Sequence, residues 1–383
     1  MSAEVKILKA GDLASEVAVV VGTRPGIVMF APIIHELRRR AVPHFVIHTG
    51  QHYSPNMDAE FFRDLELPAP DYRIDATAEH RTHGAQTAHM LAGIERVLLE
   101  RKPRVMLVGG DANTNLAGAL AARKLQIAVG HVEAGERSFD WSMPEEHNRR
   151  MIDHISDYLF ITGEKARANL EREAVQGQIV NTGNPIVDAS LQHLHMAQRR
   201  GSVLESVAVA PRGYAVLTMH REENVDHLER LRGGLEGAAQ AAEVLGLPLL
   251  FFVHPRTEKR LREFGLDAWV RALPRVRSLP AAGYLDFLAF VAHARLVFTD
   301  SGGVQQEACI HQVPCVTLRD NTEWTETLAS GANRLAGCAP EAIVTAAREA
   351  ARVASGWPVP FGAGDAAARI VDAVAALPAR SRA

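Results

Sequence analysis

The chain has few cysteines, no long apolar run and no surplus of either charge, and each shortage closes off a class of protein. Three cysteines among 383 residues, Cys309, Cys315 and Cys338, are an odd number without CxxC spacing. They argue against a disulfide framework and a structural zinc site, and read as small buried hydrophobes. No apolar stretch approaches the ~18 residues of a membrane span. The amino terminus carries Glu4, Lys6 and Asp12 among short apolar pieces. It lacks the basic region, apolar core and cleavage pattern of a signal peptide, so the expected location is cytoplasmic. A net charge of −3 gives no electrostatic reason to expect nucleic acid, and any anionic ligand must be held locally. Motifs are missing too. The loop after the first strand is not GxGxxG, no tyrosine begins a YxxxK pair and no GxxxxGK[ST] occurs. Those absences exclude a bound nicotinamide and a P-loop nucleotidase. His131 and Glu133 stand two apart without an HExxH or a clustered Asp/His run, so no metal is expected.

What is present describes a soluble globular enzyme: 47% hydrophobic residues beside 23% charged, in a chain too long for one core. Apolar runs at Val17–Val21, Phe45–His48, Val105–Val108, Ile127–Val132 and Tyr158–Ile161 read as strands, separated by helical stretches. The pattern breaks at Thr182-Gly183-Asn184-Pro185, a turn-rich boundary, and a linker helix follows to Arg200. It restarts with Tyr214–Thr218, a helix from about His227 to Leu245, and strands at Leu249–Val253, Leu296–Phe298 and Cys315–Leu318. Alternating β and α elements predict an α/β protein with two doubly wound parallel sheets facing each other. The expected division is residues 1–185, residues 186–364, and a closing helix within 365–383 that packs back on the first domain.

Four short segments carry candidate chemistry. Thr299-Asp300-Ser301-Gly302-Gly303 lies between a strand and a helix, where glycines let backbone N–H groups approach a phosphate at the helix N-terminus. A helix cap and a tight turn account for a bare DSGG equally well. Glu307, nearly two helical turns further on, adds a carboxylate suited to a ribose diol. Asp111, in Gly109-Gly110-Asp111-Ala112-Asn113, ends a strand, and taken singly it reads as an N-cap. Glu133 sits in Gly130-His131-Val132-Glu133-Ala134-Gly135, either a solvated loop acid or a cleft carboxylate. Pro144-Glu145-Glu146 opens a helix in which Glu145 and Arg149 form an ordinary i, i+4 pair. Three acids at one sheet edge, with His220, Arg221 and the DSGG turn in the other half, suggest chemistry at a sugar carbon with a nucleotide leaving group.

The segments GTRPG, HTGQHY, GGDANTN, HVEAGERS, PEEHNRR, MHREEN, VHPRT, TDSGGVQQE and LRDNTEW resemble, in this order, the UDP-N-acetylglucosamine 2-epimerases, over nearly the whole chain. The resemblance implies the GT-B architecture, two Rossmann-like domains about a central cleft. It also implies reversible C2 epimerisation of UDP-GlcNAc to UDP-ManNAc without a cofactor, by anti elimination of UDP to 2-acetamidoglucal and re-addition. By this resemblance Asp111, Glu133 and Glu145 match the catalytic acids and His220 the histidine assisting UDP departure. Arg24, Ser301, Gly302, Gly303 and Glu307 match nucleotide-binding positions, and Phe287 a uracil contact. Gln51 and His52, joined by Glu136 and His254, match a loop that contacts a second, activating UDP-GlcNAc in some bacterial members. A homodimer supplying units for surface polysaccharide is implied as well. Met29 and Trp324 stand where the family pattern has lysine and arginine, and Ala282 where it has glutamine. Those departures leave open another UDP sugar, such as a 2,3-diacetamido uronic acid. A hydrolysing variant, a GT-B glycosyltransferase and a nucleotide-sugar sensor are the remaining alternatives.

Overall fold

Val17–Val21 presents no polar side chain on either face, and a strand of that kind is stable only where both faces are covered. The computed structural model describes residues 16–51, 61–74 and 77–377, and in it this segment is the fully buried strand β1 of a parallel sheet. The chain divides into two units, Met1–Ala189 with Phe361–Ala383, and Ser190–Pro360.

In the first unit β1 is joined by β2 (His44–His48), β3 (Tyr72–Arg73), β4 (Val105–Gly109), β5 (Ala128–Ala134), β6 (Tyr158–Ile161) and β7 (Gln178–Asn181). Their order is β3-β2-β1-β4-β5-β6-β7, parallel throughout. The core joins Phe45, Ile47, Met106 and Val108 of the sheet to Met90, Ile94 and Leu98 of the helix His83–Arg101 and to the alanines of the helix Asn113–Lys124. Small residues let that second helix lie close to the sheet. At the end of β1 the approach is closer still: a Cβ on Gly22 would collide with Thr49 and Thr114, whose hydroxyls hydrogen-bond each other at 2.7 Å.

The second unit repeats the plan with β8 (Ala215–Thr218), β9 (Leu249–Val253), β10 (Val276–Pro280), β11 (Leu296–Thr299), β12 (Cys315–Thr317) and β13 (Asn333–Leu335). The order is β10-β9-β8-β11-β12-β13, again parallel. One face packs Leu217, Phe251 and Phe298 against Leu231 and Leu235 of the helix Leu228–Leu245 and Ile343 of the helix Pro340–Ala350. The other packs Tyr214, Val216, Leu250 and Val297 against Phe290 and Val304.

The helix Pro185–Arg199 runs across the division between the units. Asp188 accepts backbone N–H groups of Ala366 and Ala367 at 3.2 and 3.1 Å, at the start of the terminal helix Ala366–Ala375. Two residues on, Ser190 begins the second unit, and within that unit its Oγ lies 2.7 Å from His311 Nε2. The terminal helix packs on the helix Arg24–Arg39 and adds an Arg40–Asp372 ion pair. No helix among the described residues is long and apolar enough to cross a membrane.

In each sheet the strand order reverses at one point, between β1 and β4 and between β8 and β11. Open α/β sheets bind ligands outside the carboxyl ends of the strands at such a point. The loops there are Gly22 to Arg24 and Gly110 to Ala112 in the first unit, Met219 to Arg221 and Asp300 to Ser301 in the second.

Candidate active site

In the first unit β4 ends at Gly109, and Gly110 turns the chain with φ of +76°, its N–H donating to Val132 O at 3.0 Å. Asp111 follows. It is not a cap: the N-cap of the helix Asn113–Lys124 is Ala112, and the side chain serving that helix end is Gln51, whose Oε1 accepts from Thr114 N at 2.9 Å and Thr114 Oγ1 at 2.8 Å. The Asp111 carboxylate keeps solvent access and pairs with Arg149, while Asn148 Nδ2 donates to Asp111 O at 2.8 Å. The i, i+4 pair expected between Glu145 and Arg149 is replaced by this contact and by Arg149 bonding Glu146 at 3.3 Å. The fully buried Glu146 also takes the Ser138 N–H and hydroxyl, at 2.9 and 3.0 Å, and Arg150 at 3.0 Å. Glu145, in the first turn of the helix Pro144–Ile155, stays half-buried.

Glu133 is the residue that interrupts β5. Val132 pairs with Phe160 and Ala134 with Ile161, so Glu133 is the extra residue of a bulge, and its φ of +64° is rare for a side chain with a Cβ. Bulges recur beside active sites because they re-aim a side chain. Glu133 Oε1 accepts from Asn184 Nδ2 at 2.7 Å. Crowding by protein on its inner side pushes the carboxyl up to about 7, against the Asn184 hydrogen bond, with the negative charges of Glu136 and Asp111 adding to the rise. Around the Cβ position that Gly110 lacks, Glu133 Oε2 and Met29 Cε both approach to 3.7 Å, and the Met29 thioether packs on Gly109. Met29 is buried. Arg24 is the exposed first residue of the helix Arg24–Arg39, capped by Thr23.

In the second unit Asp300 and Ser301 do not act as caps either. Ser301, the N-cap of the helix Gly302–Ile310, makes no side-chain cap bond. The fully buried Asp300 accepts from the backbone N–H of His220 and Arg221 at 3.0 Å and from Asn224 Nδ2 at 3.1 Å, and lies 3.2 Å from His220 Nδ1. Burial opposes its charge, but the His220 contacts and the donors from Arg221 and Asn224 hold the carboxyl below the usual carboxylate range. With Nδ1 3.2 Å from a buried carboxylate, the His220 ring is fixed in orientation. The His254 ring lies 5.3 Å from that of His220, and burial together with the His220 charge lowers its pKa. His254 Nδ1 caps its own helix by accepting from Arg256 N at 3.2 Å.

Glycine at 302 leaves room that Glu323 and the Trp324 indole border: a Cβ there would collide with Glu323 and sit 3.1 Å from Trp324 Nε1. Glu323 is shared by Arg319 at 2.8 Å and Arg221 at 3.8 Å. Glu307 is buried in the same helix, pushed up to about 7 by burial, against a hydrogen bond from Tyr284. Tyr284 OH is 3.3 Å from His193 Nδ1. Phe287, half-buried, packs edge-on to Phe252 at 5.3 Å.

The structure therefore gathers Asp111 and Glu133 at one sheet edge, and His220 and Ser301 to Gly303 at the other unit's corresponding edge. Gln51 and His254 are engaged at helix ends, and Glu136 accepts from the Thr162 hydroxyl. His52 lies outside the described residues. Sequence reasoning named Arg149 only as a helix-surface pair and Asn184 only as part of a turn, and gave no role to Asn224 or Tyr284, yet each is a polar partner of a candidate residue distant in the chain. Among the described residues no three His, Cys, Asp or Glu side chains gather as a metal site.

A parallel doubly wound unit bearing carboxylates, and a second ending its central strands in a histidine and a glycine turn, define a nucleotide-sugar enzyme of the GT-B class. The family model described as UDP-N-acetylglucosamine 2-epimerase matches residues 35–375, and the chain belongs to that family. The UDP-N-acetylglucosamine 2-epimerase of Methanocaldococcus jannaschii is 47% identical over 93% of this chain and 98% of that protein. A crystal structure of the M. jannaschii UDP-GlcNAc 2-epimerase in complex with UDP-GlcNAc and UDP matches with a TM-score of 0.83 and 46% identity, covering 94% of this chain and 99% of that one. The UDP-2,3-diacetamido-2,3-dideoxy-D-glucuronate 2-epimerase of Pseudomonas aeruginosa is 38% identical over 94% of this chain and all of that protein.

Proposed function

We propose that this protein interconverts UDP-N-acetylglucosamine and UDP-N-acetylmannosamine by eliminating UDP and adding it back. The observation that carries the reading is Glu133, a carboxyl displaced by a bulge to the end of the sheet and poised near neutral pH, with Asp111 nearby. A C2 proton with no adjacent carbonyl is barely acidic, so it leaves only as the C1–O bond to UDP breaks. A carboxylate takes that proton, the C1–C2 double bond of 2-acetamidoglucal forms, and UDP carries away the C1–O electron pair. In the return step the other face of C2 is protonated as a UDP oxygen re-forms the bond to C1. No redox cofactor is called for, since nothing is oxidised. Asp111, Glu133 and Glu145 are the groups assigned to the two proton transfers. His220, oriented by Asp300, assists the departing and returning phosphate. Ser301, Gly302 and Gly303 offer backbone N–H groups at a helix N-terminus to the diphosphate, Arg24 supplies a cation, Glu307 takes the ribose and Phe287 lies against the uracil. The reading extends to a cytoplasmic homodimer supplying ManNAc units for surface polysaccharide.

Met29 and Trp324, placed where cations stand in the family pattern, favour comparison with a second sugar, the UDP-2,3-diacetamido uronic acid on which the P. aeruginosa relative is named as acting. The test offers each UDP sugar to the enzyme in D2O. Deuterium at C2 of both epimers of UDP-GlcNAc, with UDP still attached, is the expected result. Exchange restricted to the uronic acid selects the second sugar. Free ManNAc with UDP identifies a hydrolase, and sugar transfer only with an added acceptor a glycosyltransferase. Binding without exchange refutes both epimerase readings.

A further inference from the structure

His131 takes no part in that reaction, yet it is fully buried between two acceptors. Its Nδ1 lies 2.6 Å from Asp153 Oδ1 and its Nε2 3.0 Å from Gly110 O. A backbone carbonyl only accepts, and an ionised carboxylate only accepts. The other Asp153 oxygen faces two donors, Arg137 at 2.7 Å and Gly135 N at 3.2 Å, so a proton has no place on that side. Burial opposes the Asp153 charge, but His131 and Arg137 hold its carboxyl below the usual range. A ring that satisfies both neighbours carries both protons.

The surrounding charges point the same way. Asp153 binds Arg137, which binds Glu173 at 2.7 Å; Glu173 binds Arg150 at 2.7 Å; Arg150 binds Glu146; Glu146 binds Arg149; and Arg149 binds Asp111. With His131 as a cation, the signs alternate without a break over all eight groups, and the two ends meet at neighbouring residues, Gly110 and Asp111. A neutral ring would leave the deep end of the chain one positive charge short, where His131, Arg137 and Asp153 have no exposed side-chain surface.

We propose that His131 is a positioning residue: a buried imidazolium, held by Asp153, that clamps the Gly110 carbonyl and so fixes the turn that aims the Asp111 carboxylate. Gly110 is then held at both ends, its N–H by Val132 O and its C=O by His131. Asp111 is held at its own carbonyl by Asn148 and at its carboxylate by Arg149. The role rests on the reading of Asp111 as a reacting group.

The experiment uses the full chain with 15N-labelled histidine, the His131 signals being assigned by their loss in His131→Gln. Two protonated ring nitrogens are expected in the folded, active enzyme, and one bare nitrogen overturns the proposal. Glutamine carries both its N–H donors on a single nitrogen and cannot reach the two acceptors on opposite sides of the ring as an imidazolium does. His131→Gln is therefore expected to lower kcat about 10²-fold, the size of effect that a misplaced reacting group produces, with KM and UDP affinity little changed. A folded His131→Gln enzyme that melts earlier but turns over normally shows a merely structural residue and overturns the assignment. Should that variant fail to fold, the wild-type ring, with signals assigned through its couplings, decides alone. The ring spectrum is read whether or not the wild type epimerises, so failure of the clamp and failure of the functional reading are separately visible.

Discussion

Replacing Glu133 by glutamine is expected to remove turnover and at the same time to stabilise the fold, by an amount that grows as pH rises from 4.5 and levels off above about 7. The usual glutamate value is 4.5 and the folded-state value is about 7, so between these limits the native protein binds a proton that the unfolded chain has lost. Stability that is complete below pH 4.5 therefore drains away as pH rises to 7. At about 1.4 kcal/mol per unit the full gap corresponds to roughly 3 kcal/mol, and solvent access on the open side of Glu133 brings the expected figure to about 1–3 kcal/mol. Glutamine is never ionised, keeps the shape and still accepts from Asn184, so Glu133→Gln escapes this loss. The assay compares wild type and variant by thermal melting and by denaturant at pH 4.5 and pH 8. The variant should gain about 1–3 kcal/mol at pH 8 relative to its difference at pH 4.5. In parallel, the wild-type-minus-variant infrared difference, in which the Glu307 carboxyl that is likewise pushed up to about 7 cancels, should show a protonated-carboxyl band titrating near pH 7. A stability difference independent of pH, or a band that has vanished by pH 5, refutes the argument that burial governs this carboxyl.

Asn184→Ala removes a donor to ionised Glu133, and a hydrogen bond of ~1.5 kcal/mol to a charged group corresponds to about one pH unit. The kcat/KM limb belonging to Glu133 should therefore move up by that amount, and an unmoved profile refutes the contact. Met29→Lys should shift the same limb down, because an ammonium beside the Gly109 and Gly110 turn favours the ionised carboxylate. A profile identical to wild type would show that Met29 lies too far away to matter. Asp300→Asn keeps an acceptor for the His220 and Arg221 N–H groups but loses the charge beside His220 Nδ1, and should lower kcat by roughly 10²-fold or more with the melting temperature little changed. Steady-state rates on UDP-GlcNAc check it, normal kcat being the contrary result.

Much of the architecture can be read from the sequence because the central strands are buried on both faces. Val17–Val21, Tyr158–Ile161 and Leu249–Val253 have the same limits as sequence runs and as strands. The strands that escaped, β3, β7, β10 and β13, lie at or near the sheet edges, where half-exposed segments such as Gln178–Asn181 and Val276–Pro280 carry polar residues and no continuous apolar run. The candidate residues were legible by type and place, but their partners were not. Asn184 looked like part of a turn because nothing local links it to Glu133, 51 positions earlier. Arg149 looked like a helix-surface pair because i, i+4 spacing describes the helix alone, and the competing partner Asp111 comes from another strand end. The cap readings of Asp111 and Asp300 failed for the same reason, since distant donors claimed both carboxylates.

The route of the chain sets an order of assembly. Asp188 receives its two backbone donors from Ala366 and Ala367, so a ribosome that has already emitted all seven strands of the first sheet must still deliver the whole second unit before that carboxylate is satisfied. The terminal helix, which packs on the helix Arg24–Arg39 and buries Ile370, Val371 and Val374, arrives later still. What is translated first is finished last, and the nascent protein travels most of its synthesis with an uncovered apolar flank, the interval in which a chaperone has something to hold.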